Sequence, residues 1–224
     1  MKRLALKPLA LALCLGAFAG TASASTNLIV NGSFEDISAS PGVQQLANGT
    51  WNVFSTIPGW TTFAGAGIEV RNNIAGIAQD GSQFVELDSH GVNPNSTMQQ
   101  AISTISGQSY SLSFWYSPRP STANRPTDTN NLSVLWNGTT LLPTLSGTNN
   151  TGTHNWQQYS YTVVGTGATD TLRFAAFGTQ DTYGGSLDNV SLITAVPEPG
   201  TYAMLFAGLG LMGTIVRRRK ARAA

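Results

Sequence analysis

The sequence predicts an all-β sandwich, on three observations. From residue 27 to residue 193 no helical period is sustained. Short runs there alternate apolar and polar side chains with a period of two. Each run is bounded by Gly, Asn, Ser or Pro, the punctuation of strands and turns. Roughly nine or ten such runs fit the chain, and a β-sandwich is their natural closure.

The clearest strand is 109–117, where Tyr110, Leu112, Phe114 and Tyr116 alternate with Ser109, Ser111, Ser113 and Trp115. One face is apolar, and Trp115 stands among serines on the other. Leu132, Val134 and Trp136 alternate next, and Asn137-Gly138 is a strong hairpin signal. Tyr159, Tyr161 and Val163 form a further strand, then Leu172, Phe174 and Ala176. Asp188, Val190 and Leu192 share one parity in a last, less regular strand. Trp60, Trp136 and Trp156 fall at apolar positions expected to pack. Residues 38–49 and 118–129 read as loops, the latter with Pro118, Pro120 and Pro126, and 195–199 as a linker.

Both ends differ from this β-rich region, giving three segments: 1–24, 25–194 and 195–224. Lys2, Arg3 and Lys7 precede an apolar run at 9–19, and Ala22-Ser23-Ala24 is a small-x-small cleavage site. This is the pattern of a secretion signal cut after Ala24 by signal peptidase. Leu13 before the single cysteine, Cys14, argues against a lipoprotein. At the other end, 201–216 is an apolar helix candidate followed by the basic run 217–222. At about 1.5 Å per residue it would reach roughly 24 Å, short of a bilayer core of about 30 Å. Basic flanks stay cytoplasmic, so the segment would engage the inner membrane transiently with the domain on the far side.

Charge excludes one class of partner. Between residues 25 and 196 four arginines, no lysine and ten acids leave a net charge of −6. An acidic, lysine-free domain is unsuited to nucleic acid. The same region has no cysteine, hence no disulfide or thiol chemistry. Gly208-Leu209-Gly210-Leu211-Met212-Gly213 satisfies G-x-G-x-x-G, but no strand precedes it, so it is no dinucleotide site.

Parity also proposes a ligand face. Glu86, Asp88 and His90 occupy alternate positions, with Val85 and Leu87 turned to the core. Phe84 shares the parity of the polar three. Their group reads as a solvated face, a ligand or calcium site, or a glycosidase pair, although such pairs usually sit on different elements. Trp115, turned outward, offers an aromatic plate for a sugar ring, and Arg119 adds donors at the rim.

Two resemblances add to this reading. Val196-Pro197-Glu198-Pro199-Gly200, an apolar segment and an arginine cluster, in that order at the C-terminus, resemble the PEP-CTERM sorting signal. That implies an exosortase cutting near Pro197, Glu198 and Pro199. It also implies export to the cell surface or matrix of a Gram-negative bacterium. Asn31-Gly32-Ser33-Phe34-Glu35, Gly59-Trp60, 84–88, Gln99-Gln100, 107–110, Leu112-Ser113-Phe114, Trp156 and 187–192 are similar, in order, to galactose-binding-like jelly rolls of carbohydrate-binding modules. The resemblance implies a jelly roll and a structural Ca2+ held by Glu35, Asp188 and backbone carbonyls; the two residues read otherwise as turn-forming polar groups. The expected function is non-catalytic binding of extracellular polysaccharide. An exported polysaccharide hydrolase or lyase, and a purely structural surface protein, are the alternatives.

Overall fold

The computed structural model describes residues 26–38, 42–92, 95–121 and 127–195, with 206, 208–210 and 212. In chain order the strands are β1 (Thr50–Phe54), β2 (Thr56–Ile57), β3 (Trp60–Ala64), β4 (Ile68–Asn72), β5 (Gln83–Glu86) and β6 (Thr97–Ser103). There follow β7 (Ser109–Ser117), β8 (Asn131–Trp136), β9 (Thr139–Leu145), β10 (Gln157–Val164), β11 (Thr169–Phe177) and β12 (Ser186–Thr194), with one 3-10 turn at Thr127–Asn130. They form two six-stranded sheets, ordered β1-β4-β5-β12-β7-β10 and β2-β3-β6-β11-β8-β9. From β5 onward every connection except the β8–β9 hairpin crosses between the sheets. This is the double Greek-key winding of a jelly roll.

The core lies where the apolar parities of both sheets meet. Leu112, Phe114, Tyr116, Val70, Val85 and Leu192 of the first sheet face Trp60, Met98, Val134, Leu172 and Phe174 of the second, all buried. Phe114 meets Phe174 edge-on with centroids 5.2 Å apart. The β8–β9 hairpin turns at Asn137 and Gly138, both with positive φ (51° and 77°). Only a turn of the primed kind needs that pair of conformations, and Asn-Gly supplies it.

Two expectations need correction. Asp188 does not share a face with Val190 and Leu192. The β12–β7 register shifts between Asp188 and Ser191, and Asn189 takes φ 48°. This one-residue bulge reverses parity, so Asp188 lies beside Trp115 on the outer face while Val190 enters the core. Trp156 also leaves the interior. It packs on the outer face of the first sheet against Phe84, with ring centroids 6.1 Å apart.

The signal segment with Ala24, and Pro197, Glu198 and Pro199, lie outside the described residues. In the tail, residues 206, 208–210 and 212 are helical and exposed. Among the described residues no helix is long and apolar enough to cross a membrane.

Candidate functional site

The outer face of the first sheet carries the predicted polar residues. Pairing places Glu69 opposite Glu86, Arg71 opposite Phe84, Ser186 opposite Glu86, and Asp188 opposite Trp115. Val85 and Leu87 face the core as expected. The solvated face is corrected, however: Glu69, Glu86, Asp88 and Asp188 are all 0% exposed and Arg71 is 2% exposed. Segments far away in sequence cover them. Gly184 N–H donates to Glu86 Oε1 at 2.8 Å, and the amides of Gln79 and Asp80 donate to Asp188 Oδ2. His154 packs edge-on against Phe84.

Two like charges directly opposite on a sheet repel. Here Arg71 bridges them, pairing with Glu69 and, at 3.0 Å, with Glu86. Arg119 reaches Glu86 from the far side at 3.1 Å, and Thr182 O at 2.6 Å. Its guanidinium stacks on Tyr183, 4.1 Å from the ring centre. Burial still pushes the Glu86 carboxyl up to about 7, against the pull of both arginines. His90 is at the rim, 39% exposed. Its N–H and Nδ1 both meet Glu69 Oε2 at 2.7 Å, and its ring stacks on Trp51 at 4.1 Å.

The implied calcium ligands do not fit a metal. Glu35 Oε1 accepts the backbone N–H groups of Ser82 and Gln83, and Oε2 faces Ser82 Oγ and the Gln45 amide. Asp188 Oδ2 accepts two backbone N–H groups and Oδ1 accepts that of Asn189. Donors fill the directions a cation would need. Both carboxylates instead clamp the 79–83 turn, in which Gly81 (φ +69°) leaves no room for a Cβ beside the Glu35 carboxylate. Burial pushes the Asp188 carboxyl up to about 8.

A concave surface lies at the edge beside β10. One cleft of about 390 Å³ is lined by Tyr116, Tyr159, Asn149, Asn150, Asn155 and Gln157, with no charged side chain among the described residues. A second, about 450 Å³, lies across 151–152 and is lined by Gly76, Arg119, Pro120 and Tyr183. Asn149 and Asn150 with Arg119 and Tyr183 join them through a narrow gap. Asparagines shape this rim. Asn149 Nδ2 donates to Pro118 O and Thr153 O, while Asn130 Oδ1 accepts Arg119 N–H at 3.0 Å and its Nδ2 reaches Gly147 O. Exposed Asn150 and Asn155 make no side-chain hydrogen bond among the described residues.

Of the predicted ligand residues, Arg119 lines this surface and His90 lies elsewhere, half-buried. Trp115 is half-buried beside Asp188, and Glu86 and Asp88 act from beneath. The structure adds residues not singled out in the sequence. Glu69 and Arg71 alternate with Ile68 and Val70, a signal for an outer face, but nothing local marks their burial. His154 is held neutral, its pKa lowered by burial to about 4, with Nε2 2.9 Å from Ser186 Oγ. Ser186 is fully buried and offers no exposed nucleophile.

Comparison with known proteins places the chain. No curated protein matches it. A family 35 carbohydrate-binding module from Paenibacillus barcinonensis is 21% identical, covering 66% of this chain and 100% of that one, with a TM-score of 0.40. Another from Clostridium thermocellum is 17% identical, covering 61% and 98%, with a TM-score of 0.38. A Stig cyclase from Fischerella sp. TAU is 16% identical, covers 78% of this chain and 100% of its own, and has a TM-score of 0.51; that likeness is one of fold. The PEP-CTERM protein-sorting motif matches residues 195–220. The model of a protein family of unknown function matches residues 27–193, almost the entire sandwich, and the chain therefore belongs to the DUF642 family.

Proposed function

We propose that this protein is exported, sorted to the cell surface of a Gram-negative bacterium through its PEP-CTERM motif, and binds polysaccharide there without cleaving it. The observation that carries the reading is the uncharged cleft beside β10. Asn150, Asn155 and Gln157 present amides able both to donate and to accept, as sugar hydroxyls require, and Tyr159 adds an aromatic wall. The neighbouring Arg119–Tyr183 stack extends this surface with a cation.

A hydrolytic role finds little support. Glycosidases need two carboxyl groups flanking the bond to be cut. Glu69, Glu86, Asp88 and Asp188 are sealed beneath loops, and among the described residues no carboxylate lines either large cleft. A glycan array probed with the purified exported protein, beside a reducing-sugar assay on the same glycans, tests the reading. Retention on at least one polysaccharide without sugar release supports it. Sugar release points to the enzyme, and no retention on any glycan points to a structural surface protein.

A further inference from the structure

Asp88 and Asn95 face each other across an isolated antiparallel bridge, which puts their side chains side by side on the outer face. Asp88 is 0% exposed. Its Oδ2 accepts the backbone N–H groups of Asp181 at 3.0 Å and Tyr183 at 3.1 Å. Its Oδ1 is buried and has no hydrogen-bond partner, and the same is true of Asn95 Oδ1. Asn95 cannot turn its amide to cure this, because its Nδ2 is committed to Gly178 O at 2.9 Å. Two buried acceptors side by side, both without donors, are costly and require an explanation.

Asp181 supplies a third group. It sits in the 178–184 segment that folds over Asp88, and its Oδ1 accepts Tyr183 N–H. Gly184 comes so close beneath that a Cβ there would stand 2.7 Å from Asp88 N. We propose that Asp88 Oδ1, Asn95 Oδ1 and the Asp181 carboxylate form a site for one calcium ion, which fastens the 178–184 segment to the end of β5. Oxygen-only donors with two carboxylates and an amide carbonyl suit a hard cation whose remaining positions take water. Among the described residues no three His, Cys, Asp or Glu side chains gather as a metal cluster; this site has two such side chains and an amide. It differs from the Glu35–Asp188 pair, all of whose carboxylate oxygens face donors, in offering two oxygens that face none. The Asp181 carboxyl lies close enough to that of Asp88 to interact with it. Tyr183, the platform beneath Arg119, rides on the same segment, so the ion would hold one wall of the second cleft in place.

The test is calorimetric titration of CaCl2 into the full exported protein after chelator treatment, with MgCl2 as comparison and thermal melting alongside. One equivalent of Ca2+ should bind and raise Tm, with Mg2+ at least tenfold weaker. Asp88→Asn and Asp181→Asn should each weaken Ca2+ binding at least tenfold, while Asp188→Asn should leave it unchanged. Asp181 is only half-buried, so its variant keeps the test open should Asp88→Asn fail to fold. No Ca2+ heat and no change in Tm in the unmodified protein would overturn the proposal, leaving a proton or water between the two oxygens. So would undiminished binding in Asp181→Asn, or binding lost in Asp188→Asn alone.

Discussion

Glu86 shows how a carboxylate in a strand becomes structural. It is enclosed by Arg71, Arg119 and the Gly184 amide. Removing one member of a buried charge group strands the others, at a cost of about 3–5 kcal/mol. Glu86→Ala, which removes the acceptor oxygens in either protonation state, is therefore expected to destabilise the domain by about 3 kcal/mol or more in urea unfolding. A loss under about 1 kcal/mol would mean that the arginines find other partners. Position 86 was legible as facing away from Val85 and Leu87. Its burial was not, because the covering residues, Arg119 and Gly184, lie 33 and 98 positions away. Alternation reports which face a side chain takes and is silent on what later folds over it.

At the scale of elements, β7, β8 and β11 were readable because each alternates cleanly and pairs on both sides. β12 was misread at its start. A bulge adds one residue without altering composition, and only the positive φ of Asn189 makes it visible. Left-handed backbone costs a β-branched residue about 1–2 kcal/mol, and Asn189 also donates to Gln79 Oε1. Asn189→Val should lower stability by about 2 kcal/mol, with Asn189→Gly clearly milder because glycine takes this φ freely. Equal losses in the two variants would place the cost in the lost side-chain bond, not in the backbone. The uncharged cleft was invisible in sequence for a related reason: residues 149–155 carry no pattern that marks a site, and gain meaning only beside Tyr116 and Pro118.

For the whole molecule, pH dependence follows from the buried layer. Glu86, Asp88 and Asp188 have carboxyls raised to about 7, 6 and 8. Such groups stabilise the fold below their unfolded values, and that contribution is lost as pH rises through the folded ones. His154 acts in the opposite sense: its lowered value of about 4 gives a contribution present above about 6.5 and lost as pH falls from there towards 4. Above pH 6.5 only the loss from Glu86 and Asp188 remains. In chelator, Tm should therefore fall between pH 6.5 and 8.5, and a rise over that window would contradict the burial of these carboxylates as ionisable groups. The fold thus has two kinds of polar surface: a sealed charged layer that holds loops in place, and an open amide-lined cleft those loops help to shape.

That division makes binding in the cleft the central claim, and affinity electrophoresis tests it most directly. The exported protein and its Asn150→Ala/Asn155→Ala variant would be run through gels containing a neutral polysaccharide retained on the array. Each lost hydrogen bond is worth about 0.5–1.5 kcal/mol, and about 1.4 kcal/mol is a factor of ten in affinity. The unmodified protein should be retarded, and the double variant should bind about tenfold more weakly with an unchanged melting temperature. Equal retardation of the two proteins would contradict the account and move the binding surface elsewhere on the molecule.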